Sequence, residues 1–202
     1  TCYYAKNLSK AEVAEGKEVY IEFEAANSSA ELFVNGESVA KHDGGYSTWR
    51  ANITSYLKEE NEIVVAVDNA PNDHVYPQNA DFTFYGGLYR KVSLLLVDET
   101  RFDLDYYGSP AIKVTPEVTG QDAKITTEVY LTNAGSQEEL VYTITDGDTV
   151  VDAVTVCADQ TKAEQTITNV HLWNGRKDPY LYTATVCLIE DGVCIDSVST
   201  RF

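Results

Sequence analysis

The residues best suited to chemistry are the carboxylates, amides and imidazole crowded into the segment 68–81. Oxygen atoms of such side chains are the ligands that calcium prefers, although the regular spacing of an EF-hand loop is lacking. A solvated surface loop held by side-chain turns of Asn and Asp also fits, and it is the simpler expectation for most of them. The segment contains Asp68, Asn69, Asn72, Asp73, His74, Gln78, Asn79 and Asp81.

Asp81 differs from the rest because Ala80, Phe82 and Phe84 surround it in the sequence. A carboxylate in apolar surroundings is costly without a partner, so a partner is expected. That partner is a backbone N–H at the start of the following strand, the guanidinium of Arg90, or a ligand outside the domain. The residues alone leave all three open.

Motifs of known catalytic centres are missing from this sequence. His42, His74 and His171 form no pair at helical spacing, and neither a GxSxG elbow nor a phosphate-binding loop occurs. The glycine pairs at 44–45 and 86–87 open no helix, so we expect them in turns or in close packing. The first half of the sequence shows no row of exposed aromatic residues that would form a platform for stacking on a sugar.

The cysteines do not match the ligand spacing of a zinc site. Cys187 and Cys194 flank a predicted turn at "EDG", so a cross-strand disulfide or free thiols would fit, and free thiols are the simpler expectation. The other two are Cys2 and Cys157. The compartment stays open, with the cytoplasm favoured over secretion.

The charge balance excludes some partners. A formal net charge of −17 repels phosphate backbones and anionic membrane surfaces, so we expect neither nucleic acid nor a membrane as partner. No apolar run approaches the roughly 18 residues that span a bilayer. The composition is that of a soluble protein, and neutral substrates such as sugars are compatible with it.

Short strands are predicted along nearly the whole chain, which makes the fold class all-β. In the first half, strands are expected at 19–23, 61–67 and 90–97. A hairpin is expected at 31–40, where Asn35-Gly36 suits a type I′ turn. Between them "ANITSYLKEEN" predicts a helical turn, with Asn52 as its cap and Leu57 packed inward.

The sequence pattern changes after a charged segment at 98–104, where the first half ends. Strands separated by polar turns predict an immunoglobulin-like sandwich. We therefore expect two domains, 1–98 and 99–202, with no repeat between them. Roughly seven strands are expected there, and examples are those at 124–131, 139–145, 149–156, 165–173, 180–189 and 193–202.

Several segments carry a resemblance to a known family. The pieces "VNG", "GGYSTWRANITSYL", "NEIVVAVDN" and "DFTFYGGLYRKVSLL" occur in an order that resembles the jelly-roll, sugar-binding domain of glycoside hydrolase family 2. The stretches "NVHLWNGRKDPYLYTATV" and "VSTRF" resemble the immunoglobulin-like domain that comes second in that family. The resemblance implies a jelly-roll sandwich followed by an immunoglobulin-like sandwich. It also implies that Trp49 and Tyr56 pack inside and that Trp173 braces the second sandwich.

The resemblance also implies roles for two residues. Asp81 stands where β-galactosidases and β-glucuronidases have an Asp that projects into the active site, holding the sugar or, in some β-galactosidases, lying near a cation. Asn79 is its neighbouring candidate for substrate binding. No cofactor is expected within this chain, and a cation near Asp81 belongs to the intact enzyme.

The family's catalytic glutamates lie in a third, barrel domain, which these residues do not contain. The chain is therefore expected to be inactive alone, as part of a retaining β-glycosidase, with β-galactosidase preferred over β-glucuronidase or β-mannosidase. Its partners would be a β-glycoside, the barrel of the same polypeptide and further copies in a homo-oligomer. A stand-alone pair of carbohydrate-binding modules and a purely structural assembly role remain as alternatives.

Overall fold

The computed structural model describes residues 1–13, 15–77 and 79–202, without the side chain of Ala11. Strands dominate these residues, so the all-β prediction is confirmed. The chain divides into two compact units, Thr1–Glu99 and Thr100–Phe202, and we propose the domain boundary at 98–99, beside this division. Within the described residues, the structure has no helix with the length and apolar character needed to cross a membrane.

The first unit is a jelly-roll sandwich of two antiparallel sheets. One sheet has the strand order β1-β6-β3-β4, and the other has the order β5-β2-β7. Their bounds are β1 (Cys2–Ser9), β2 (Glu18–Phe23), β3 (Ser29–Val34), β4 (Glu37–Asp43), β5 (Trp49–Asn52), β6 (Glu60–Asp68) and β7 (Val92–Val97). Two short 3-10 turns accompany them, at Lys10–Glu12 and Thr54–Tyr56.

Alternation of apolar residues places the core of this unit as predicted. Val19, Ile21 and Phe23 point to one face of β2 and are buried. The β3–β4 hairpin turns at Asn35 and Gly36, with φ angles of 53° and 82°. Two consecutive positive φ angles define the predicted type I′ turn, whose twist matches that of the flanking strands.

Two strands of this unit were not predicted. Strand β1 is exposed over most of its length, so it shows no apolar alternation that the sequence could reveal. Strand β5 has four residues, too few for a period of two to stand out. Both exist because a neighbouring strand offers a hydrogen-bonding edge: β6 for β1 and β2 for β5.

The predicted helical turn is confirmed as the 3-10 turn Thr54–Tyr56. Ile53 holds the formal cap position and makes no side-chain cap bond, but the Oδ1 atom of Asn52 accepts the Thr54 N–H at 3.0 Å and its hydroxyl at 2.7 Å. The Thr54 Oγ1 atom in turn accepts the Val19 N–H at 2.8 Å. Leu57 packs against the core, as expected.

Replacing Asn52 by alanine is expected to lower the free energy of unfolding by about 1 kcal/mol, the usual cost of losing a cap. The backbone N–H of Thr54 loses its acceptor, and its hydroxyl loses the bond that aims it at Val19. Urea unfolding of the variant measures the loss. Asn7→Ala removes the same group from an exposed strand position and should change stability by less than about 0.5 kcal/mol. Equal losses in both variants would contradict the cap.

The second unit is an immunoglobulin-like sandwich. Its sheets have the orders β13-β12-β15-β16, β14-β10-β9 and β11-β8. The strands are β8 (Arg101–Phe102), β9 (Ile112–Thr119), β10 (Asp122–Val129), β11 (Leu131–Thr132), β12 (Glu139–Asp146), β13 (Thr149–Cys157), β14 (Lys162–Ile167), β15 (Thr183–Glu190) and β16 (Val193–Arg201). All four cysteines are free thiols.

In the second unit, strand β9 was not located from the sequence and two expectations were wrong. Strand β9 was missed because Pro116 interrupts its pattern, which an edge strand tolerates since one side needs no N–H. The strand predicted at 165–173 ends at Ile167, after which the His171 ring stacks on Tyr180 at 3.8 Å. The side chain of Trp173 does not brace the sandwich, because the residue is 63% exposed.

Candidate functional site

The candidate residues lie on one irregular segment between β6 and β7, residues 69–91, which we call the β6–β7 loop. The loop is longer than the sequence indicated, because β7 begins only at Val92. Its far end is fixed by Asn27, which is buried. Asn27 and Gly87 exchange two backbone hydrogen bonds of 3.0 Å, and the Asn27 Nδ2 atom donates to the Tyr85 carbonyl at 2.7 Å.

Close packing explains the glycine pair of this loop. A Cβ on Gly86 would lie 2.8 Å from the amide carbon of Asn69, and one on Gly87 would lie 2.2 Å from the Tyr4 hydroxyl. That hydroxyl accepts the Leu88 N–H at 3.2 Å. The prediction that these glycines serve close packing is confirmed, and they hold the loop on the edge of the sandwich.

Residues 89 and 90 anchor the loop to the backbone of Gly45 and Tyr46. The Tyr89 hydroxyl donates to the Gly45 carbonyl, and burial raises the pKa of Tyr89. The Arg90 Nη1 atom donates to the Tyr46 carbonyl at 3.0 Å, and its guanidinium lies 5.4 Å from the centre of the Tyr89 ring. Arg90 therefore stabilises the base of the loop.

Asp81 is exposed, which corrects the expectation of an apolar environment. Phe82 and Phe84 contact each other, with ring centres 4.8 Å apart. Among the described residues the structure records no hydrogen bond or ion pair of the Asp81 carboxylate. Arg90, the candidate partner inside the domain, is engaged elsewhere. The Asp81 carboxylate therefore faces solvent in the described part of the chain.

Asn79 occupies a different environment from Asp81. It lines a cavity of about 130 Å³ beneath the loop, together with Asn27, Tyr46 and Phe84. Asp81 is not among the lining residues that the structure describes. The two candidate residues are neighbours on one loop, but the structure does not bring them together around one cavity.

The start of the loop is held by side-chain turns, as expected for most of its polar residues. The Oδ1 atom of Asn72 accepts the His74 N–H at 2.9 Å. Its Nδ2 atom donates to Ser29 Oγ at 2.8 Å and to Asp43 Oδ1 at 2.9 Å. Hydrogen bonds, first from Ser29 and then from Asn72 and His74, lower the pKa of Asp43.

The calcium site considered from composition gains no support from the described residues. They contain no group of three or more His, Cys, Asp or Glu side chains that could hold a metal ion. The link of Asn72 to Asp43 was missed by sequence reasoning because the two residues belong to separate strands and loops.

Several aromatic side chains are exposed on this loop, although the sequence shows no row of them. Tyr76, Phe82 and Tyr85 are the most exposed of them, and Tyr46 contacts Tyr89 edge to face at 6.4 Å. Aromatic rings with free faces can stack on sugar rings or pack against another domain. The spacing of these residues in the sequence was the available signal, but their exposure depends on the loop's irregular path.

The fold and this loop define a tandem of two β-sandwich domains, a jelly roll followed by an immunoglobulin-like domain. Residues 1–98 match the model of the sugar-binding domain of glycosyl hydrolases family 2, and residues 110–202 match the model of glycosyl hydrolases family 2. The chain belongs to glycoside hydrolase family 2, which confirms the family resemblance.

Named relatives cover the chain almost completely. It is 35% identical to a β-glucuronidase of Bacteroides fragilis, over 92% of this chain and 28% of that protein. It is 30% identical to a β-galactosidase of Thermoanaerobacter pseudethanolicus, over 98% of this chain and 27% of that protein. The chain thus spans less than a third of the relatives' length.

A solved structure shows the same two domains. The crystal structure of an FMN-binding β-glucuronidase from Facaelibacterium prausnitzii L2-6 superimposes with a TM-score of 0.90 at 34% identity. The match covers 98% of this chain and 31% of that one. That chain therefore contains both sandwiches in the same order.

Proposed function

We propose that residues 1–202 are the two non-catalytic β domains of a retaining β-glycosidase and supply one wall of its active site. The family match over both domains supports this, as do the relatives of more than three times this length. Retaining hydrolysis needs two carboxyl groups about 5 Å apart across the scissile bond. In the proposal that pair belongs to a barrel domain outside these residues, and the chain alone is inactive.

Asp81 is the residue we propose for the sugar subsite. The single observation that carries this role is an exposed carboxylate without a described partner, on a loop anchored by Asn27, Tyr89 and Arg90. A carboxylate carried on an anchored loop can accept hydrogen bonds from sugar hydroxyls, orient the sugar and so lower the barrier without taking part in bond cleavage. Asn79, which lies on the same loop and lines a separate cavity, is proposed as a second contact.

The sugar that the intact protein hydrolyses can be identified by measuring its activity. The names of the relatives support a β-galactoside and a β-glucuronide about equally, so the sequence preference for galactose is not confirmed. The experiment compares kcat/KM on the 4-nitrophenyl β-galactoside and β-glucuronide. We expect hydrolysis of one at least a hundredfold faster than of the other. If the intact protein hydrolyses none of the β-galactoside, the β-glucuronide and the β-mannoside, the proposed activity is contradicted.

A sugar-binding role of the isolated chain is the second candidate, because exposed aromatic rings crowd the β6–β7 loop. If this role is correct, residues 1–202 should bind galactose or glucuronate with millimolar or tighter affinity, which titration calorimetry measures. Tyr85→Ala should abolish that binding, since Tyr85 is highly exposed and its ring is not part of the core.

Assembly of the intact protein as a homo-oligomer is also proposed, and light scattering after gel filtration tests it.

A further inference from the structure

The two sheets of the first unit differ in width by one strand. The sheet β1-β6-β3-β4 has four strands, whereas β5-β2-β7 has three and ends at β7. A groove of about 530 Å³ lies between the edge strands β1 and β7. Its walls are mainly apolar and include Leu8, Phe23, Val65, Leu88 and Leu94.

The inward face of β7 is uncovered at this groove. In the antiparallel register Val92, Leu94 and Leu96 lie opposite Phe23, Ile21 and Val19, so their side chains share the face that forms the core. The three residues of β2 are buried, yet Val92, Leu94 and Leu96 are 44%, 36% and 39% exposed. Side chains directed at the core and left this open indicate a missing neighbour.

Among the described residues, no strand pairs with the side of β7 that faces away from β2. The Glu24 N–H donates to the Lys91 carbonyl, so this pair faces β2. Because hydrogen-bonded and non-bonded pairs alternate in an antiparallel ladder, the N–H and C=O groups of Val92, Leu94 and Leu96 point to the free edge. An apolar edge with unpaired backbone groups is the template for adding one extended strand.

The groove also restricts the side chains of that strand. Tyr4 and Lys6 of β1 pair with Val65 and Ile63, whose side chains are in the core, so both residues face the groove. An added strand with apolar residues at alternate positions would cover Leu94 and its neighbours. A carboxylate on that strand, opposite Lys6, would meet its ammonium group.

We propose that this groove is the docking site for one extended, alternately apolar strand from the same polypeptide, supplied by a segment outside residues 1–202. The inference rests on the proposal that the chain is part of a longer protein, but it does not depend on the sugar hydrolysed. A single strand makes the two sheets equal in width.

A tethered strand is favoured over a second copy of the chain for two reasons. Each copy carries a formal net charge of −17, so edge-to-edge pairing of two copies works against repulsion. A segment of the same polypeptide acts at a high effective concentration and loses less freedom when it docks. The β-glucuronidase of Bacteroides fragilis, of which this chain covers 28%, has ample length to provide such a segment.

The test places the photo-crosslinking residue p-benzoylphenylalanine at position 94 of the intact protein and identifies the adduct by mass spectrometry. We expect one intramolecular adduct, to a peptide outside residues 1–202. The control carries the same group at Val118, an exposed residue of another edge strand, and should not yield that peptide. An adduct to a second copy, an adduct within residues 1–202, or no adduct would overturn the proposal.

Hydrogen exchange on the intact protein separates strand pairing from simple coverage. The amides of Val92, Leu94 and Leu96 should exchange at least a hundredfold more slowly than those of an unstructured chain. Exchange within tenfold of the unstructured rate would overturn strand addition. If the protein hydrolyses β-glycosides while these tests fail, the docking inference is wrong and the proposed function stands. If the expected adduct forms in a protein that hydrolyses no β-glycoside, the docking inference stands and the proposed function is wrong.

Discussion

Replacing Asp81 by alanine in the intact protein is expected to lower kcat/KM about thirtyfold, a loss of about 2 kcal/mol in transition-state stabilisation. The melting temperature should stay unchanged, because the exposed carboxylate has no described partner within its own domain. Removing it therefore leaves the fold intact and deletes only the contact proposed for the sugar. Steady-state kinetics on the hydrolysed nitrophenyl glycoside and thermal unfolding measure the two effects.

Asp73 provides the matched control for Asp81. It is exposed on the same loop and carries the same charge, but it is not proposed to contact the sugar and does not line the cavity of Asn79. Asp73→Ala should change kcat/KM by less than about twofold. If Asp81→Ala behaves like this control, Asp81 has no place in the subsite and the segment before β7 serves only the fold.

Replacing Gly45 by alanine is expected to lower the free energy of unfolding of the first unit by about 2 kcal/mol, the usual range for overpacking. A Cβ at this position would lie 2.2 Å from Oδ1 and 2.8 Å from Cγ of Asn27. Asn27 is buried and joined to Tyr85 and Gly87, so it has little room to move. The shift should reach the β6–β7 loop, which lowers activity as well as stability.

The control for Gly45 is Gly135, in the second unit. A Cβ at Gly135 would meet no atom within 4 Å, and its φ lies outside the left-handed region. Gly135→Ala should leave stability unchanged or raise it by up to about 1 kcal/mol, because alanine restricts the unfolded chain. Chemical denaturation of both variants decides the matter. Equal stability of the Gly45 variant and the native protein would show that Asn27 moves freely.

The two variants distinguish the proposed contact of Asp81 with the sugar from the positioning of the loop that carries Asp81. Asp81→Ala should reduce activity with stability preserved, whereas Gly45→Ala should reduce both through the anchor of the loop. A loss of activity in the second variant without any loss of stability would indicate that Asn27 acts on the loop alone. The pattern of the pair therefore tests how the sandwich holds the candidate site.

Much of the fold was predictable from local pattern. Alternation in β2 and the apolar run of β6 follow from the period of a strand, and Asn35-Gly36 needs only its own φ preferences to make the turn. The Asn52 cap is equally local, since donor and acceptor are two residues apart. Such features depend on neighbours in sequence, which the sequence displays directly.

The environment of the site depended on contacts between distant residues. Aromatic neighbours suggested a sheltered Asp81, but an irregular backbone has no fixed period, so flanking residues do not determine which side chain faces solvent. Arg90 reaches the Tyr46 carbonyl and Asn27 reaches the Tyr85 carbonyl, across 44 and 58 residues of chain. No local pattern in the sequence reports those pairings.

The sequence by itself determined the all-β class, the order of the two sandwiches through the family resemblance, and Asp81 and Asn79 as candidates. Only the tertiary structure decided that Asp81 is exposed, that Asn79 lines a separate cavity and that Trp173 faces solvent. Local backbone preference is written in adjacent residues, whereas burial is set by whichever strands meet across the sandwich. The open edge of β7 belongs to the second kind, because its residues are those of a buried strand and only the sheet order shows that no described strand covers them.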